Sequence, residues 1–286
     1  EKMSALTYER RDMCRPCPVD AITQGSIFNY AFSEDLDNKN VLGMLISARC
    51  DLANLKTSKY SYVPVVSLED YIFHYLARKL FLDQKKEEVG KIKNMVKDLG
   101  HDPGIIDVYG IKKCIDKIVE KQKAKEKANE AFEKIESLNE LINKNSDRYT
   151  KDDLAIIPSK KFKSEFSDLS QNKAEGYYLI DDVVDHNNRE ASLGPHVVLL
   201  REVHHMSAEI AEFIKKGCVH DELLEAGNSA PSLVLGKGRM SYVLCNMASP
   251  YIELVMQRFS NIFSRVGVKD PHKNLGERFF MDYIIG

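Results

Sequence analysis

Residues Gln24–Leu68 read QGSIFNYAFSEDLDNKNVLGMLISARCDLANLKTSKYSYVPVVSL. Three short apolar runs stand out, Ser26–Phe32, Val41–Ser47 and Tyr60–Val66, separated by polar clusters rich in Asp, Asn, Ser and Lys. Runs of this length bounded by turn-forming residues predict strands, so the segment predicts a compact β-sheet module. Cys50 follows the most apolar run and Asp51 stands beside it. A strand end entering a loop is where a rigid scaffold presents functional side chains, which makes Cys50 and Asp51 candidate site residues. The plainer reading is that Cys50 is a small buried hydrophobe and that Asp51 caps the following turn.

Outward from this stretch the texture changes twice. Leu68–Leu99 loses its alternation and takes up helical spacing through Ile72, Leu76, Leu80, Val89, Ile92 and Val96, with His74 expected on the surface of that helix. Gly100, Pro103 and Gly104 interrupt the pattern. Helical spacing resumes from about Ile105 to Asn145, where Ala128, Ala131, Ile135, Leu138 and Ile142 follow a heptad. The middle of this second segment is dominated by Lys and Glu. The two segments predict a charged helical hairpin inserted at 68–149, an arm suited to docking a partner or simply a solvated helix pair.

β character returns at Asp153–Ile157, Gly176–Val184 and Pro195–Val203, each expected as a strand. A helix is expected from the cap Ser207 to Gly217, and a second from Ser249-Pro250 to near Gly267, with Ile252, Val255, Phe259, Ile262 and Val266 on one face. The tract Gly236–Arg239 predicts a basic hairpin turn between 232–235 and Met240–Cys245.

The 286 residues carry 41 basic and 43 acidic side chains, so no global field points to nucleic acid or to an acidic membrane surface. No run approaches the ~20 apolar residues of a membrane span, and the first residues show no signal-peptide core. The expectation is a soluble, cytoplasmic protein whose six cysteines are thiols or ligands rather than a disulfide framework.

The order of elements in the opening segment, a glycine turn into GSIF, then VLGMLIS, then a strand ending VPVVS, resembles the MazF/PemK-like toxins. That resemblance covers about 45 residues and implies an SH3-like barrel, with endoribonuclease or topoisomerase-poison activity among its members. In the ribonuclease toxins the strand corresponding to Leu42–Ser47 opens with Arg-Pro, whose arginine stabilises the phosphate; here those positions read Gly43-Met44. The later strand departs as well, with Val65, Val66 and Ser67 after Pro64. Phosphodiester cleavage needs a cation or preorganised donors where negative charge develops. A toxin-like nuclease would therefore use a relocated site, with Arg49, Ser47 and Ser67 as its candidate residues.

Two further constellations carry chemistry. Cys14 and Cys17 have the CxxC spacing that grips half of a tetrahedral zinc site, to be completed by Cys50, Cys218 with His220, or His204 with His205. Without metal they are two thiols near the terminus. Lys237 and Arg239 on the basic turn, with Arg258 and Arg265 seven apart on the last helix, are candidate phosphate contacts for a nucleic acid.

These readings combine into an α+β protein in which residues 1–67 and 150–286 form a body with a small SH3-like β-barrel or sheet. Amphipathic helices pack on it and 68–149 is inserted. The leading functional expectation is a non-catalytic scaffold or recognition subunit of a prokaryotic toxin-like or phage-defence assembly, bound to another subunit through its helical arm and carrying no cofactor. The alternatives are the relocated endoribonuclease and a zinc-stabilised nucleic-acid-binding module.

Overall fold

The computed structural model describes residues 10–18, 21–36, 40–54, 57–225 and 233–264. The strands are β1 Cys14–Arg15, β2 Ser26–Phe28, β3 Leu42–Leu45, β4 Lys59–Ser67, β5 Tyr177–Ile180, β6 Val184–Asp185, β7 Ala191–Ser192, β8 His196–Leu199, β9 His204–Ser207, β10 Cys218–Val219, β11 Met240–Ser241 and β12 Val243–Met247. The helices are α1 Arg49–Ala53, α2 Leu68–Tyr71, α3 Ala77–Asp98, α4 Ile105–Tyr109, α5 Ile111–Ile118, α6 Gln122–Asn143, α7 Ser159–Ser170, α8 Ala208–Lys216, α9 His220–Glu225 and α10 Tyr251–Ser264. A π-helical turn, Ile72–Leu76, joins α2 to α3. No described helix is long and apolar enough to cross a membrane.

The fold is mixed α and β around an antiparallel eight-stranded sheet that curls into a half-barrel, in the order β1-β12-β2-β3-β4-β8-β5 with β9 also on β4. The three apolar runs of Gln24–Leu68 are its centre, β2, β3 and β4. One strand explains much of the topology. The first half of β4, Lys59–Tyr62, pairs with β9, and the second half, Val65–Ser67, pairs with β8. Pro64 lies between those two registers. Its missing N–H falls where the partner strand changes, so a proline is tolerated in the middle of a sheet.

Successive β4 side chains enter opposite layers. Tyr60, Tyr62 and Val66 join a core with Phe28, Leu80, Phe81, Leu138, Ile210 and Ile214, beneath α3, α6 and α8. Val63 and Val65 join the other core, with Ile27, Met44, Val198 and Leu244, against Ile252 and Val255 of α10. Both faces are covered, which is why β4 reads as nearly continuous apolar sequence rather than as apolar and polar in alternation.

A third core lies wholly among the helices: Ile92 and Val96 of α3, Ile106 of α4, Cys114 and Ile115 of α5, and Ala128 and Ile135 of α6. Gly110, at φ 84°, separates α4 from α5, and extended backbone at Val119 and Lys121 separates α5 from α6. The single helix expected from Ile105 to Asn145 is thus three. Midway along α3, Glu88 is almost fully buried. It accepts from Gln84 Nε2 at 2.7 Å and pairs with Lys91 at 2.8 Å and Lys134 of α6 at 3.1 Å. Burial by itself would raise the Glu88 pKa; the hydrogen bonds from Lys91, Lys134 and Gln84 outweigh it and hold the carboxyl below its ordinary value.

Other expectations are corrected. Asp153–Ile156 is a 3₁₀ turn and not a strand, because the Asp153 carboxylate accepts from Thr150 N at 2.7 Å and from Lys144 Nζ at 2.6 Å. Such local side-chain bonds compete with a ladder. The side chain of His74 is only 4% exposed, and its Nδ1 lies 3.0 Å from Ser146 Oγ. Gly236–Arg239 forms a turn but no hairpin, since Leu233 bridges to Ala31 while Met240–Ser241 pairs with β10. By contrast, Ser207 Oγ accepts from Ile210 N and Gly217 ends α8, as their residue types dictate. The far end expected for the last helix, with Val266 and Arg265, lies outside the described residues.

Candidate functional site

The patch that begins at Ser47 is built by the end of β3. The ladder closes with Ile46 N donating to Ser61 O at 2.9 Å, and Ser47 Oγ then accepts from Ser61 N at 2.7 Å. The next residues turn into α1, anchored by buried Leu52, so that Cys50 stays exposed and Asp51 half-buried. Cys50 Sγ lies 3.6 Å from Asp51 Oδ1, and Asn54 Nδ2 donates to Cys50 O at 2.7 Å. Arg49 reaches the first turn of α10, where its Nη2 sits 2.9 Å from Glu253 Oε1, both side chains about half exposed. The local carboxylate thus answers the cation that a relocated phosphate site would use.

Ser67 is elsewhere. It caps α2, accepting from Asp70 N at 3.0 Å and donating to Asp70 Oδ2 at 2.7 Å. Six residues of β4 separate it from Ser61, the neighbour of Ser47, or about 20 Å at ~3.3 Å per residue. Ser47 and Arg49 share a neighbourhood; Ser67 is not part of it. The pair that sequence reading missed is Ser61 with His205, directly opposite on β4 and β9, Oγ to Nδ1 at 3.0 Å. That distance suits a nucleophile and its base. His205 makes no second hydrogen bond among the described residues, so no group orients the ring as a triad would require. The signal for the pair was Ser61 as the one polar residue inside an apolar strand. The adjacent His204 is structural: it bonds Glu202 at 2.7 Å and packs against the rings of Phe32 and Tyr62.

Gly43, in β3, lies under the ring of Phe28. A Cβ there would be 2.3 Å from Phe28 Cζ and 2.9 Å from Ala31 Cβ. No side chain fits at that point unless the Phe28 ring is displaced.

Cys14 and Cys17 enter different layers, as residues three apart on an extended segment do. Cys14 packs in the core beneath α10 and hydrogen-bonds Cys245. Cys17 packs against the opposite core, donating to Ala21 O at 3.0 Å and accepting from Asn246 Nδ2 at 3.3 Å. The hydrogen bond from Cys14, with burial, raises the Cys245 pKa well above the ordinary thiol value, and burial raises that of Cys17; neither is poised as a thiolate. Among the described residues no three His, Cys, Asp or Glu side chains converge in a group able to hold a metal ion.

The four candidate phosphate contacts separate. Lys237 and Arg239 are exposed on the turn after Leu235. Arg258 faces inward, its guanidinium bonded to the carbonyl oxygens of Asn172, Ala174 and Tyr177, where burial lowers its pKa. Arg265 lies outside the described residues.

The helical region around α4 has exposed apolar side chains. Val108 and Tyr109 of α4 are 75% and 64% exposed, and Leu99, just past α3, is 38% exposed. From Phe81, which packs in the sheet-side core, to Val96 is fifteen residues, about 22 Å of helix at ~1.5 Å each. Comparison with protein-family models, with curated proteins and with solved structures finds no match.

Proposed function

We propose that this chain is a non-catalytic recognition subunit of a multi-protein assembly, of the prokaryotic toxin-like or phage-defence type. In this reading the curled sheet is an SH3-like scaffold and the α3–α6 pair is a helical hairpin that docks a partner protein. The observation that carries the reading is the apolar tip: α4 buries Ile106 alone and leaves Val108 and Tyr109 in water, about 22 Å along α3 from the sheet-side core. Adjacent exposed apolar side chains, one of them a tyrosine, at the end of a rigid support have the composition of an interface anchor. The internal core beneath them and the Glu88 pairs hold the tip in place, so little ordering cost would fall on binding.

A photo-cross-linking side chain placed at position 108 in the full chain tests this in the native cell. One defined protein is expected to cross-link there and not from the solvated position 123, and Tyr109→Asp is expected to abolish it without changing the melting temperature. Equal labelling from both positions, or full capture by the Tyr109→Asp chain, refutes the reading. Purified protein is expected to leave single-stranded and structured RNA intact; cleavage lost on Arg49→Ala or on Ser61→Ala would establish the relocated nuclease instead.

A further inference from the structure

A cavity of about 640 Å³ opens among elements that are distant in sequence. Its walls are the end of α8 with Lys215 and Lys216, the turn after β6 with His186 and Asn187, the segment leaving β1 with Cys17, and the start of β12 with Tyr242. The volume falls within the ~300–1,000 Å³ of small-molecule sites.

His186 is the singular group. Both of its ring nitrogens are shut off from water, and neither makes a hydrogen bond. A neutral imidazole offers one donor and one acceptor, and leaving such groups unpaired in the interior is costly enough that folded proteins avoid it. The backbone beneath the ring is fixed, with His186 N bonded to Leu244 O at 3.2 Å and Asn187 Nδ2 to Val243 O at 2.6 Å, so rotation of the imidazole alone brings a nitrogen to the cavity. Tyr242 is also held, its hydroxyl 2.7 Å from Asp185 Oδ2; burial, then that hydrogen bond, push its pKa up to about 12. It therefore presents a fixed, neutral aromatic wall.

The charged side chains that line the cavity are Lys215 and Lys216. No Asp or Glu lies among its described lining residues. Lys215 is partly answered by Glu212 at 3.3 Å, while Lys216 is exposed and forms no ion pair among the described residues. Burial keeps the Cys17 thiol protonated, so it adds no negative charge. An anion meets two ammonium groups at the mouth, and a flat polar group behind it meets an imidazole and a phenol ring.

We propose that this cavity binds a phosphate-bearing heteroaromatic ligand of mononucleotide size, its phosphate at Lys215 and Lys216 and its ring between Tyr242 and His186. The site is independent of the arm and of the docking role proposed above. The same chemistry is presented by a free nucleoside monophosphate and by the 5′-phosphorylated end of a nucleic-acid strand, and the test separates them.

Isothermal titration of the full chain with each ribonucleoside 5′-monophosphate, the parent nucleosides, inorganic phosphate and a 5′-phosphorylated hexanucleotide is the experiment. At least one monophosphate is expected to bind saturably, with its nucleoside weaker by about tenfold or more, or ~1.4 kcal/mol. Lys216→Ala, an exposed change that spares the fold, is expected to weaken binding by about tenfold, and Lys123→Ala, on α6 and not among the cavity's lining residues, by none. His186→Leu is expected to weaken the monophosphate and leave inorganic phosphate unchanged. A hexanucleotide that binds as tightly as the monophosphate assigns the site to strand ends; one that does not bind assigns it to the free nucleotide. No saturable binding of any phosphorylated probe overturns the proposal. So does binding that survives Lys216→Ala and His186→Leu unchanged.

Discussion

Gly43→Ala adds one methyl group to the centre of the sheet. The new Cβ would stand 2.3 Å from Phe28 Cζ, 2.6 Å from Phe28 Cε1 and 2.9 Å from Ala31 Cβ. Carbon atoms in contact keep about 3.5–4.0 Å, so the ring must retreat by more than ~1 Å. It has nowhere to go at low cost. Phe28 is fully buried and meets the Tyr62 ring edge to face at 5.4 Å, and Tyr62 is itself fully buried. Overpacking costs about 1–3 kcal/mol, and a disturbed aromatic pair adds ~0.5–1.5 kcal/mol, so the expected loss is about 2–4 kcal/mol. The chain has no Trp, so urea unfolding is best followed by far-ultraviolet circular dichroism. Phe28→Leu, which removes the ring that the new methyl strikes, supplies the decisive control. The double variant should be more stable than the sum of the two losses allows, by at least ~1 kcal/mol. A Gly43→Ala loss below about 0.5 kcal/mol, or strict additivity with Phe28→Leu, would refute the close-approach argument.

Other outcomes follow from particular contacts. Glu88→Gln should cost about 1–2 kcal/mol at pH 7, less than a fully buried pair because Lys91 and Lys134 can turn toward water. The folded-state pKa of Glu88 is lowered, so its contribution is present above the ordinary value of 4.5 and is lost as pH falls through the folded pKa. The difference between wild type and Glu88→Gln should accordingly shrink below about pH 4.5 in acid titrations of stability; a difference that stays constant to pH 2 would contradict the assignment. Arg258→Met strands the carbonyls of Asn172, Ala174 and Tyr177 and should lower stability by about 2–3 kcal/mol. Undiminished stability with weakened RNA binding would instead return Arg258 to the list of phosphate contacts.

Local chemistry made much of this fold legible from sequence. The apolar runs marked β2, β3 and β4 because a strand needs only a few β-branched and apolar residues between turn formers. Ser207 and Gly217 marked the ends of α8 because a hydroxyl and an αL residue satisfy orphan helix groups by themselves. Heptad spacing put Ala128, Ile135 and Leu138 on the buried face of α6 for the same reason of period. Misreadings arose where a distant partner or a local side chain outweighed the pattern. Asp153 turned an expected strand into 3₁₀ backbone, and Ser146 with Asp147 drew His74 out of solvent.

The sequence by itself determined the strands at the centre of the sheet and the caps and faces of the helices, all properties of residues within a few positions of one another. Only the tertiary structure decided which side chains meet. It sent Cys14 and Cys17 to opposite layers, set Ser61 against His205, held Ser67 about 20 Å along β4 from Ser61, and gathered His186, Tyr242 and Lys216 around one cavity. Sites depend on register and on strand order between residues as far apart in sequence as Cys14 and Met247, and those are settled by the burial of both faces of β4 and not by any local pattern.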